Sequence, residues 1–471
     1  MSLDTYPRYK NSNIEWIGEV PAHWRVASLR WYASIQGGVA KGKNYNAETP
    51  VVDLPYLRVA NVQDGFCDLS SVSTVTVAVS EVDRYRLHPG DVLMNEGGDN
   101  DKLGRGAVWQ GQVENCLHQN HVFAIRPNRH LLPYWLSMFT RSAAARSYFY
   151  LYSKQSTNLA SISSSNVMSC PLPFPSTQEQ RQILGFLDHE TAKIDALIRE
   201  QERLIELLQE KRQAVISHAV TKGLDPDVPM KDSGVEWLGE VPAHWRVGKL
   251  RWYATIQGGV AKGKDYQDQK TVSLPYLRVA NVQAGYVDLT EVKEIAVLES
   301  EIERYSLRHG DVLMNEGGDN DKLGRGTVWR AEIEPCLHQN HVFAIRPNRY
   351  LTPEWLAMFT QSSRARSYFF LNSKQSTNLA SISSSNVMNL DLPMPSVDEQ
   401  ERILQFLESE LQQFTDLQKQ ADKGIQLLLE RRSALISAAV TGKIDVRNWQ
   451  PPVDESAFDE EVRQAGMEAT A

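Results

Sequence analysis

The chain of 471 residues contains one long segment twice, at an offset of about 220 residues. The stretch EWIGEVPAHWRV at Glu15 returns as EWLGEVPAHWRV at Glu236. Three blocks recur without any change: GDVLMNEGGDNDKLGRG at Gly90 and Gly310, LHQNHVFAIRPNR at Leu117 and Leu337, and SKQSTNLASISSSNVM at Ser153 and Ser373. This period is far longer than the roughly 20–50 residues of a solenoid repeat. Each copy is therefore expected to fold as a domain with its own core.

The two copies have not diverged evenly. The β-rich stretch SSVSTVTVAVSEVD from Ser70 faces TEVKEIAVLESEIE from Thr290, whereas the identical blocks are polar and rich in Gly and Asn. Recent duplication accounts for part of this identity. A changed framework around unchanged loops favours the interpretation that both copies do the same job on the same kind of ligand.

Composition is that of a globular protein, with 42% hydrophobic and 23% charged residues. The chain has no run of eighteen apolar residues and no apolar signal segment at its start, which argues against a membrane partner. Four cysteines without a C-x-x-C pair favour a reducing cytoplasm. The net charge is −8, but residues 23–178 hold 14 basic and 11 acidic groups, and residues 244–397 hold 18 and 16. The overall acidity therefore does not exclude nucleic acid.

Each copy begins with β-rich runs over residues 25–130, among them PYLRVANV, VTVAV, DVLMN, AVW and HVFAIRP. Apolar spacing predicts a helix over residues 132–150, followed by the polar loop SKQSTNLASISSSN. The proline-rich CPLPFPS, from Cys170 to Ser176, ends the domain.

A long helix is predicted after each domain. Ser176 and Glu179 have the spacing of a capping box. Heptad spacing joins Leu187, Ile194, Leu208 and Val215 with Leu197 and Leu204 between them, and joins Leu407, Phe414, Ala421, Leu428 and Leu435 with Leu417 between them. Each helix would reach roughly 60 Å. Two such helices would pair antiparallel and place the domains at opposite ends, so that they read inverted half-sites on a duplex.

The motifs that recur in this order are the GEVPAHW opening, the IQGG turn, PYLRVANV, the GDVLM…GRG loop, the HQN strand and LPFPS before a long helix. Together they resemble the DNA-specificity subunits of type I restriction–modification systems, from Tyr6 to about Asn448. The resemblance implies an α+β fold with two target-recognition domains at residues 1–175 and 223–395. Pseudo-two-fold, antiparallel coiled-coil spacer helices would occupy residues 176–222 and 396–442. Residues 443–471 would form an acidic tail, which we expect to be disordered from Pro451.

The resemblance also implies partners and cofactors. In this family the specificity subunit is not catalytic and binds double-stranded DNA, while its spacer helices bind two modification subunits that carry S-adenosylmethionine and methylate adenine. Motor–nuclease subunits with ATP and Mg²⁺ complete the restriction enzyme, so we expect this chain itself to bind no cofactor. Family members generally carry two unlike recognition domains. The near-identity seen here leads to the hypothesis of a target whose halves are inverted repeats.

Polar and basic loop residues are the candidates for DNA contact. Side chains of these types touch phosphates and base edges. In the first copy they are Lys41 and Lys43 on the Gly-rich turn, Lys102 and Arg105 in the NEGGDNDKLGRG loop, and Lys154, Gln155, Thr157 and Asn158 in the SKQSTN loop. In the second copy they are Lys262, Lys264, Lys322, Arg325, Lys374, Gln375, Thr377 and Asn378.

Structural and metal-binding alternatives remain for several motifs. Asp99 and Asp101 resemble the start of a calcium loop whose further ligands are missing, although Gly97, Gly98 and Gly104 would let a ligand approach the backbone. His118 and His121 lack a third zinc ligand. We read HQNH mainly as structural, with Gln119 or Asn120 bonding a neighbouring loop, and a contact to DNA stays open as the alternative. The tryptophans are interpreted as core and domain-junction residues rather than stacking platforms: Trp16, Trp24, Trp31, Trp237, Trp245 and Trp252.

Two other classes of function compete with a specificity subunit. A methyltransferase needs a glycine-rich S-adenosylmethionine loop and an Asn/Asp-Pro-Pro-aromatic motif, but the only Pro-Pro pair lies in the tail sequence QPPVD. A nuclease needs Asp, Glu and Lys clustered on strands, and the one dense candidate, NEGGD, lies in a predicted turn. A coiled-coil scaffold that joins two protein-binding domains stays open as the alternative.

Overall fold

The computed structural model describes residues 4–98, 103–104, 106–155, 160–263, 266, 269–318, 323–324, 326–375 and 380–451. The chain forms two compact units. Unit 1 comprises Met1–Gln201 and Lys423–Ala471, and unit 2 comprises Glu202–Asp422. The tail predicted over residues 443–471 is ordered at its start: Val446 is buried in the core of unit 1, and Trp449 packs against Phe186 at 5.4 Å. Residues 452–471 lie outside the described residues.

Unit 1 contains fourteen described strands and four short helices before its first long helix. The strands are β1 (Tyr9–Asn11), β2 (Glu19–Pro21), β3 (Arg25–Ser28), β4 (Ala33–Gly37), β5 (Val51–Leu57), β6 (Ser73–Ala78), β7 (Val92–Asn95), β8 (Gly97–Gly98), β9 (Gly106–Val108), β10 (Leu117–His118), β11 (Val122–Pro127), β12 (Lys154–Gln155), β13 (Ala160–Ser161) and β14 (Pro171–Phe174). The helices are α1 (Val82–Tyr85), α2 (Pro133–Thr140), α3 (Ala143–Tyr152) and α4 (Ser164–Ser169).

An antiparallel sheet in the order β4-β11-β7-β9 forms the centre of unit 1. Strand β7 is buried along its whole length because both faces of the sheet are covered. Its alternate residues therefore enter different cores. Val92 and Met94 pack with Trp24 and Trp135 in the main core, whereas Leu93 packs in a smaller one on the other face. A second sheet, β10-β5-β6, borders the smaller core.

Two sequence predictions need correction in this region. The single helix expected over residues 132–150 is two helices, because Ser142 begins a new one: its hydroxyl accepts a hydrogen bond from the Ala145 amide at 3.2 Å. PYLRVANV is a strand only as far as Leu57. Beyond it, the Asn61 side chain accepts from the Arg58 amide at 2.8 Å and closes a 3-10 turn over Val59–Asn61.

The SKQSTNLASISSSN segment is also more ordered than a loop where it is described. It forms β12, β13 and helix α4. Ser163 caps α4 by accepting from the Asn166 amide at 3.2 Å. In a loop, serine side chains compete for backbone hydrogen bonds. In this segment the Ser163 side chain instead caps a helix.

Helix α5 (Thr177–Lys222) has 46 residues and begins as predicted at Ser176, whose hydroxyl accepts from the Glu179 amide at 3.2 Å. The reciprocal half of the capping box is replaced. The buried Glu179 carboxylate accepts from the Trp24 indole at 3.0 Å and from the Tyr6 hydroxyl at 2.8 Å. The start of α5 is thereby fixed to the core of unit 1.

Unit 2 repeats these elements. Its strands are β15 (Met230–Asp232), β16 (Glu240–Pro242), β17 (Arg246–Lys249), β18 (Ala254–Gly258), β19 (Thr271–Leu277), β20 (Lys293–Leu298), β21 (Val312–Asn315), β22 (Gly317–Gly318), β23 (Gly326–Val328), β24 (Leu337–His338), β25 (Val342–Pro347), β26 (Lys374–Gln375), β27 (Ala380–Ser381) and β28 (Asp391–Met394). Its helices are α6 (Glu299–Tyr305), α7 (Pro353–Thr360), α8 (Ser363–Leu371), α9 (Ser384–Met388) and the 44-residue α10 (Val397–Val440). The central sheet has the equivalent order β18-β25-β21-β23.

Parts of both long helices belong to each unit. In unit 1, Asp195 of α5 pairs with Arg432 of α10 at 2.9 Å, and Leu187 shares the main core with Ile436 and Val440. In unit 2, Ile216 and Val220 of α5 share a core with Ile403 and Leu407 of α10. Each unit is therefore built from one copy of the repeat and from segments of both helices.

The heptad pattern is only partly correct. Leu197, Leu204 and Leu417, which were predicted to fill the intervening positions, are exposed. The main heptad positions are confirmed: six of them are buried, namely Leu187, Ile194, Leu208, Leu407, Phe414 and Ala421. Val215, Leu428 and Leu435 are half-buried.

Candidate nucleic-acid interface

Several of the identical sequence blocks meet at one cleft in unit 1. Strand β13 lies between β12 and β8, with Ala160 opposite Gly98 and Gln155. This small sheet borders a cavity of about 540 Å³. We call it the first cleft; it is lined by Val59, Glu96, Gly97, Gly98, His121, Lys154, Gln155, Ala160 and Ser161. Segments that are far apart in the sequence thus form one concave surface.

Unit 2 has the equivalent second cleft, of about 450 Å³. It is lined by Val279, Glu316, Gly317, Gly318, His341, Lys374, Gln375, Ala380 and Ser381. Every one of these nine residues is the same type as its counterpart in the first cleft. The two units therefore present the same chemical groups to a ligand.

The carboxylate of Glu96 is held firmly at the first cleft. Its backbone amide donates to the His121 carbonyl at 2.9 Å, and its own carbonyl accepts from the Ile162 amide at 2.8 Å. The His121 ring donates from Nδ1 to Glu96 Oε2 at 2.8 Å. Glu316 has the same three bonds at 2.9, 2.8 and 2.7 Å. Both carboxylates remain about one third exposed, at 32% and 30%.

The glycines of the NEGGDNDKLGRG loop serve the protein's own packing. A Cβ on Gly97 would lie 2.8 Å from the Ala160 carbonyl, so β8 can approach β13 only without a side chain. Gly104 has φ of +76°, and a Cβ there would lie 2.3 Å from the Phe149 ring. Gly97 and Gly104 thus have the chain itself as a close neighbour, while the expectation that Gly97, Gly98 and Gly104 let a ligand approach the backbone stays a prediction.

The HQNH motif combines a structural and a surface role. His118 is fully buried and donates from Nδ1 to the Val122 carbonyl at 2.7 Å, and burial lowers its pKa. Gln119 accepts from the Val59 amide at 3.4 Å, which confirms the predicted bond to a neighbouring loop. His121, however, lines the first cleft. Within the described part of the chain no three His, Cys, Asp or Glu side chains are grouped to hold a metal, and Asp99 and Asp101 lie outside that part.

Lys154 and Gln155 line the first cleft, as Lys374 and Gln375 line the second. All four are exposed, and their contact with DNA stays a prediction. The remaining loop candidates lie outside the described residues: Lys102, Arg105, Thr157, Asn158, Lys264, Lys322, Arg325, Thr377 and Asn378.

The Gly-rich turn packs beside the HQNH motif, where the Val39 amide donates to the His118 carbonyl at 2.7 Å. Lys43 has an internal partner, because its Nζ lies 2.7 Å from Glu81 and this hydrogen bond raises the Lys43 pKa. Lys41 and its counterpart Lys262 are exposed. Of this turn's lysines in unit 1, Lys41 is therefore the better candidate for a phosphate contact.

The tryptophan interpretation holds for only part of the set. Trp24 and Trp245 are fully buried, and Trp16 packs against Tyr148 at 5.8 Å between ring centroids. Trp31 and Trp252, by contrast, are 73% and 61% exposed. Each ends a 3-10 turn in which the leucine two residues earlier points into the core. With three residues per turn, that spacing directs the indole outward.

The duplicated α/β unit, with the same nine residues lining an equivalent cleft in each copy, defines a protein with two like surface sites. Residues 26–207 and 242–427 both match the family model described as the type I restriction modification DNA specificity domain. The chain belongs to this family and carries its domain twice. The predictions of a specificity subunit rather than a catalytic chain are confirmed by this match and by the names of the relatives.

Three relatives illustrate the similarity. The EcoKI type I restriction enzyme specificity subunit of Escherichia coli K12 is 23% identical over 438 residues, which cover 92% of this chain and 91% of that protein. A solved chain from work on complex assembly and conformational transition of the type I R-M system has a TM-score of 0.65 at 17% identity, covering 89% of this chain and 98% of its own. The HsdS subunit of Thermoanaerobacter tengcongensis has a TM-score of 0.50 at 17% identity, covering 90% and 98%.

None of the helices in the described part of the chain combines the length and the apolar character needed to span a bilayer.

Proposed function

We propose that this specificity subunit reads a bipartite DNA target whose two halves are inverted repeats of each other. The observation that carries the proposal is the identity of all nine lining residues between the first and second clefts. Identical groups in equivalent positions select identical base edges. Two unlike half-sites would require the clefts to differ.

The inverted arrangement follows from the long helices. We propose that α5 and α10 pair antiparallel as a coiled coil between the recognition domains, which relates the domains by an approximate two-fold axis. The Asp195–Arg432 ion pair within unit 1 supports such pairing. A two-fold arrangement of like domains matches the two-fold symmetry of an inverted repeat in duplex DNA. Residues 1–175 and 223–395 are the proposed recognition domains, and residues 176–222 and 396–442 the proposed spacers.

The proposed partners follow from membership in the family. Two modification subunits would bind the spacer helices and methylate adenine with S-adenosylmethionine. A motor–nuclease subunit with ATP and Mg²⁺ would add restriction. The chain itself would contribute recognition and no cofactor.

We propose that both clefts and their neighbouring loops contact the DNA. Lys41, Lys154 and Gln155 are the described candidates in unit 1, because they are exposed and the last two line the first cleft. Lys43 would join them only by leaving Glu81. The loop candidates outside the described residues are proposed because of their residue types and because they recur exactly in both copies.

Purification of the chain with the products of its neighbouring genes tests the function. The proposal predicts a complex that methylates host DNA with S-adenosylmethionine, while neither the chain nor its partners do so alone. Methylation by the chain alone would make it an enzyme and contradict the proposal. A stable complex that shows no sequence-specific DNA binding would support the scaffold alternative instead.

A further inference from the structure

The clefts contain one group that DNA would ordinarily repel. A carboxylate next to a phosphate backbone is unfavourable, and the nearby Lys154 side chain attracts phosphate. Glu96 nevertheless stands at the first cleft and Glu316 at the second, both partly exposed. An acidic group kept in both copies of a DNA-facing cleft requires a reason.

We propose that Glu96 and Glu316 are specificity residues that accept a hydrogen bond from the exocyclic amino group of a base in the major groove. This inference rests on the proposed function. Only two bases present such a donor there, cytosine through N4 and adenine through N6, and carboxylates pair with the cytosine amino group. Each cleft would read one such base in its own half-site.

The geometry fits a reading group because the carboxylate is positioned before any ligand arrives. The amide and the carbonyl of Glu96 are both bonded, to His121 and Ile162, so the backbone cannot turn the side chain away. The His121 ring then fixes Oε2 at 2.8 Å. A group held in place loses little conformational entropy on binding, which increases its contribution to affinity.

His121 acts as a positioning residue for Glu96. Its Nδ1 donates to the carboxylate, while its Nε2 accepts from the Asn120 amide nitrogen at 3.5 Å. In unit 2 the corresponding distances are 2.7 and 3.4 Å. Among the described residues this ring is the one hydrogen-bond partner of the Glu96 side chain, and it occupies Oε2. A base amino group would be accepted by Oε1.

The competing explanation is that the Glu96–His121 pair is only an internal latch, that is, a hydrogen bond that stabilises the fold and does not contact DNA. The two explanations predict opposite signs for one substitution. Loss of a latch carboxylate removes a repulsive charge, so affinity for every DNA sequence should stay the same or rise. Loss of a reading carboxylate should lower affinity for the target while affinity for unrelated DNA stays the same or rises.

The experiment uses the complete complex with its modification subunits and a duplex carrying the motif that the host methylome defines. Glu96→Ala with Glu316→Ala should weaken target binding about tenfold for each half-site and leave binding to a scrambled duplex unweakened. Glu114→Ala with Glu334→Ala, at equivalent exposed positions outside the clefts, is the matched control and should change neither. Glu96→Gln with Glu316→Gln keeps an acceptor for His121 and guards against misfolding; it should recover part of the target affinity.

The base is then identified by removing amino groups from the DNA. Each cytosine of the motif is replaced in turn by 2-pyrimidinone deoxyriboside, and each adenine by purine deoxyriboside. The proposal predicts one position where the replacement costs the wild-type complex about tenfold and costs the alanine variant nothing further. The position at which this coupling occurs, a cytosine or an adenine, identifies the base that Glu96 and Glu316 contact.

Wild-type binding to its motif with no coupled position would overturn the inference and leave the proposed function intact. Equal or stronger binding of the alanine variant to the target would overturn it as well. A wild-type complex without a motif would overturn both.

Discussion

The clefts are the same in the two units, whereas the packing near the start of the long helices differs between them. All nine cleft residues are identical, and the Glu–His distances agree within 0.1 Å, at 2.8 and 2.7 Å. At the helix start the units diverge. Phe186 is 2% exposed in unit 1 and packs against Trp449 at 5.4 Å, whereas its counterpart Phe406 is 40% exposed.

The chain near the C-terminus explains the divergence. In unit 1 the Gln182 side chain donates to the carbonyls of Val446 and Trp449, and this segment covers the helix. In unit 2 Arg402 replaces Gln182 and lines a cavity of about 420 Å³ near the helix start. The cleft residues are thus unchanged between the units, while the residues on the helix surface differ where a different segment packs on them.

The largest expected effect is a difference in stability between the two units when the equivalent phenylalanine of each long helix is removed. Phe186→Ala should destabilise unit 1 by about 3–5 kcal/mol, because a buried aromatic leaves a cavity. Phe406→Ala should change the stability of unit 2 by less than about 1 kcal/mol. Hydrogen exchange measured separately for peptides of each unit gives both values. Equal losses in the two units would show that the exposed Phe406 is covered in solution.

A smaller effect is expected at the clefts, where the units should behave alike. Lys154→Ala and Lys374→Ala should each weaken DNA binding, by roughly tenfold to a hundredfold together, and reduce the salt slope of binding by about one per site. Titration at several salt concentrations measures this. Lys10→Ala with Lys231→Ala, at equivalent positions in β1 and β15, is the control and should leave the slope unchanged. An unchanged slope in the cleft variants would remove these lysines from the interface.

The smallest effect concerns pH and the shared framework. Burial lowers the pKa of His118 and of His338 below the ordinary value of 6.5. Above that pH both the folded and the unfolded chain are neutral at these positions. Below it the unfolded chain binds protons that the folded chain excludes, so stability falls as pH falls toward the folded pKa. The slope is at most about 1.4 kcal/mol per pH unit for each histidine.

Urea unfolding between pH 5 and 7.5 measures this dependence. His118→Gln keeps a donor for the Val122 carbonyl but cannot titrate. The free energy of unfolding of this variant should therefore depend less on pH below 6.5, and only in unit 1. A wild-type protein whose stability rises as pH falls below 6.5 would contradict the buried, neutral assignment.

Local chemistry accounts for what could be predicted from the sequence. The strands VTVAV, DVLMN and HVFAIRP were predicted because each is a short β-rich run between turn residues, and they are strands in the structure. Ser176 was predicted as a helix cap from its own side chain. The family itself followed from the order of the repeated motifs.

What the sequence did not reveal depends on distant partners. The proposed role of Glu96 rests on its contacts with His121, just before β11, and with Ile162, just after β13. Leu197 and Leu204 also fit a heptad, but they are exposed, because only one row of heptad positions in α5 has a packing partner. The spacing of the tryptophans predicts a packed position for Trp31 in the core or at a domain junction, but the geometry of a three-residue turn leaves it exposed. The signal available for the cleft was the unchanged recurrence of NEGG and HQNH in both copies.

The central claim is that the two units read the same half-site in opposite orientations. Single-molecule methylome sequencing of a host strain, with and without this chain, tests it most directly. If the two units read the same half-site, one bipartite adenine-methylated motif appears only with the chain, and its halves are inverted repeats. A chain-dependent motif with two unrelated halves would contradict it.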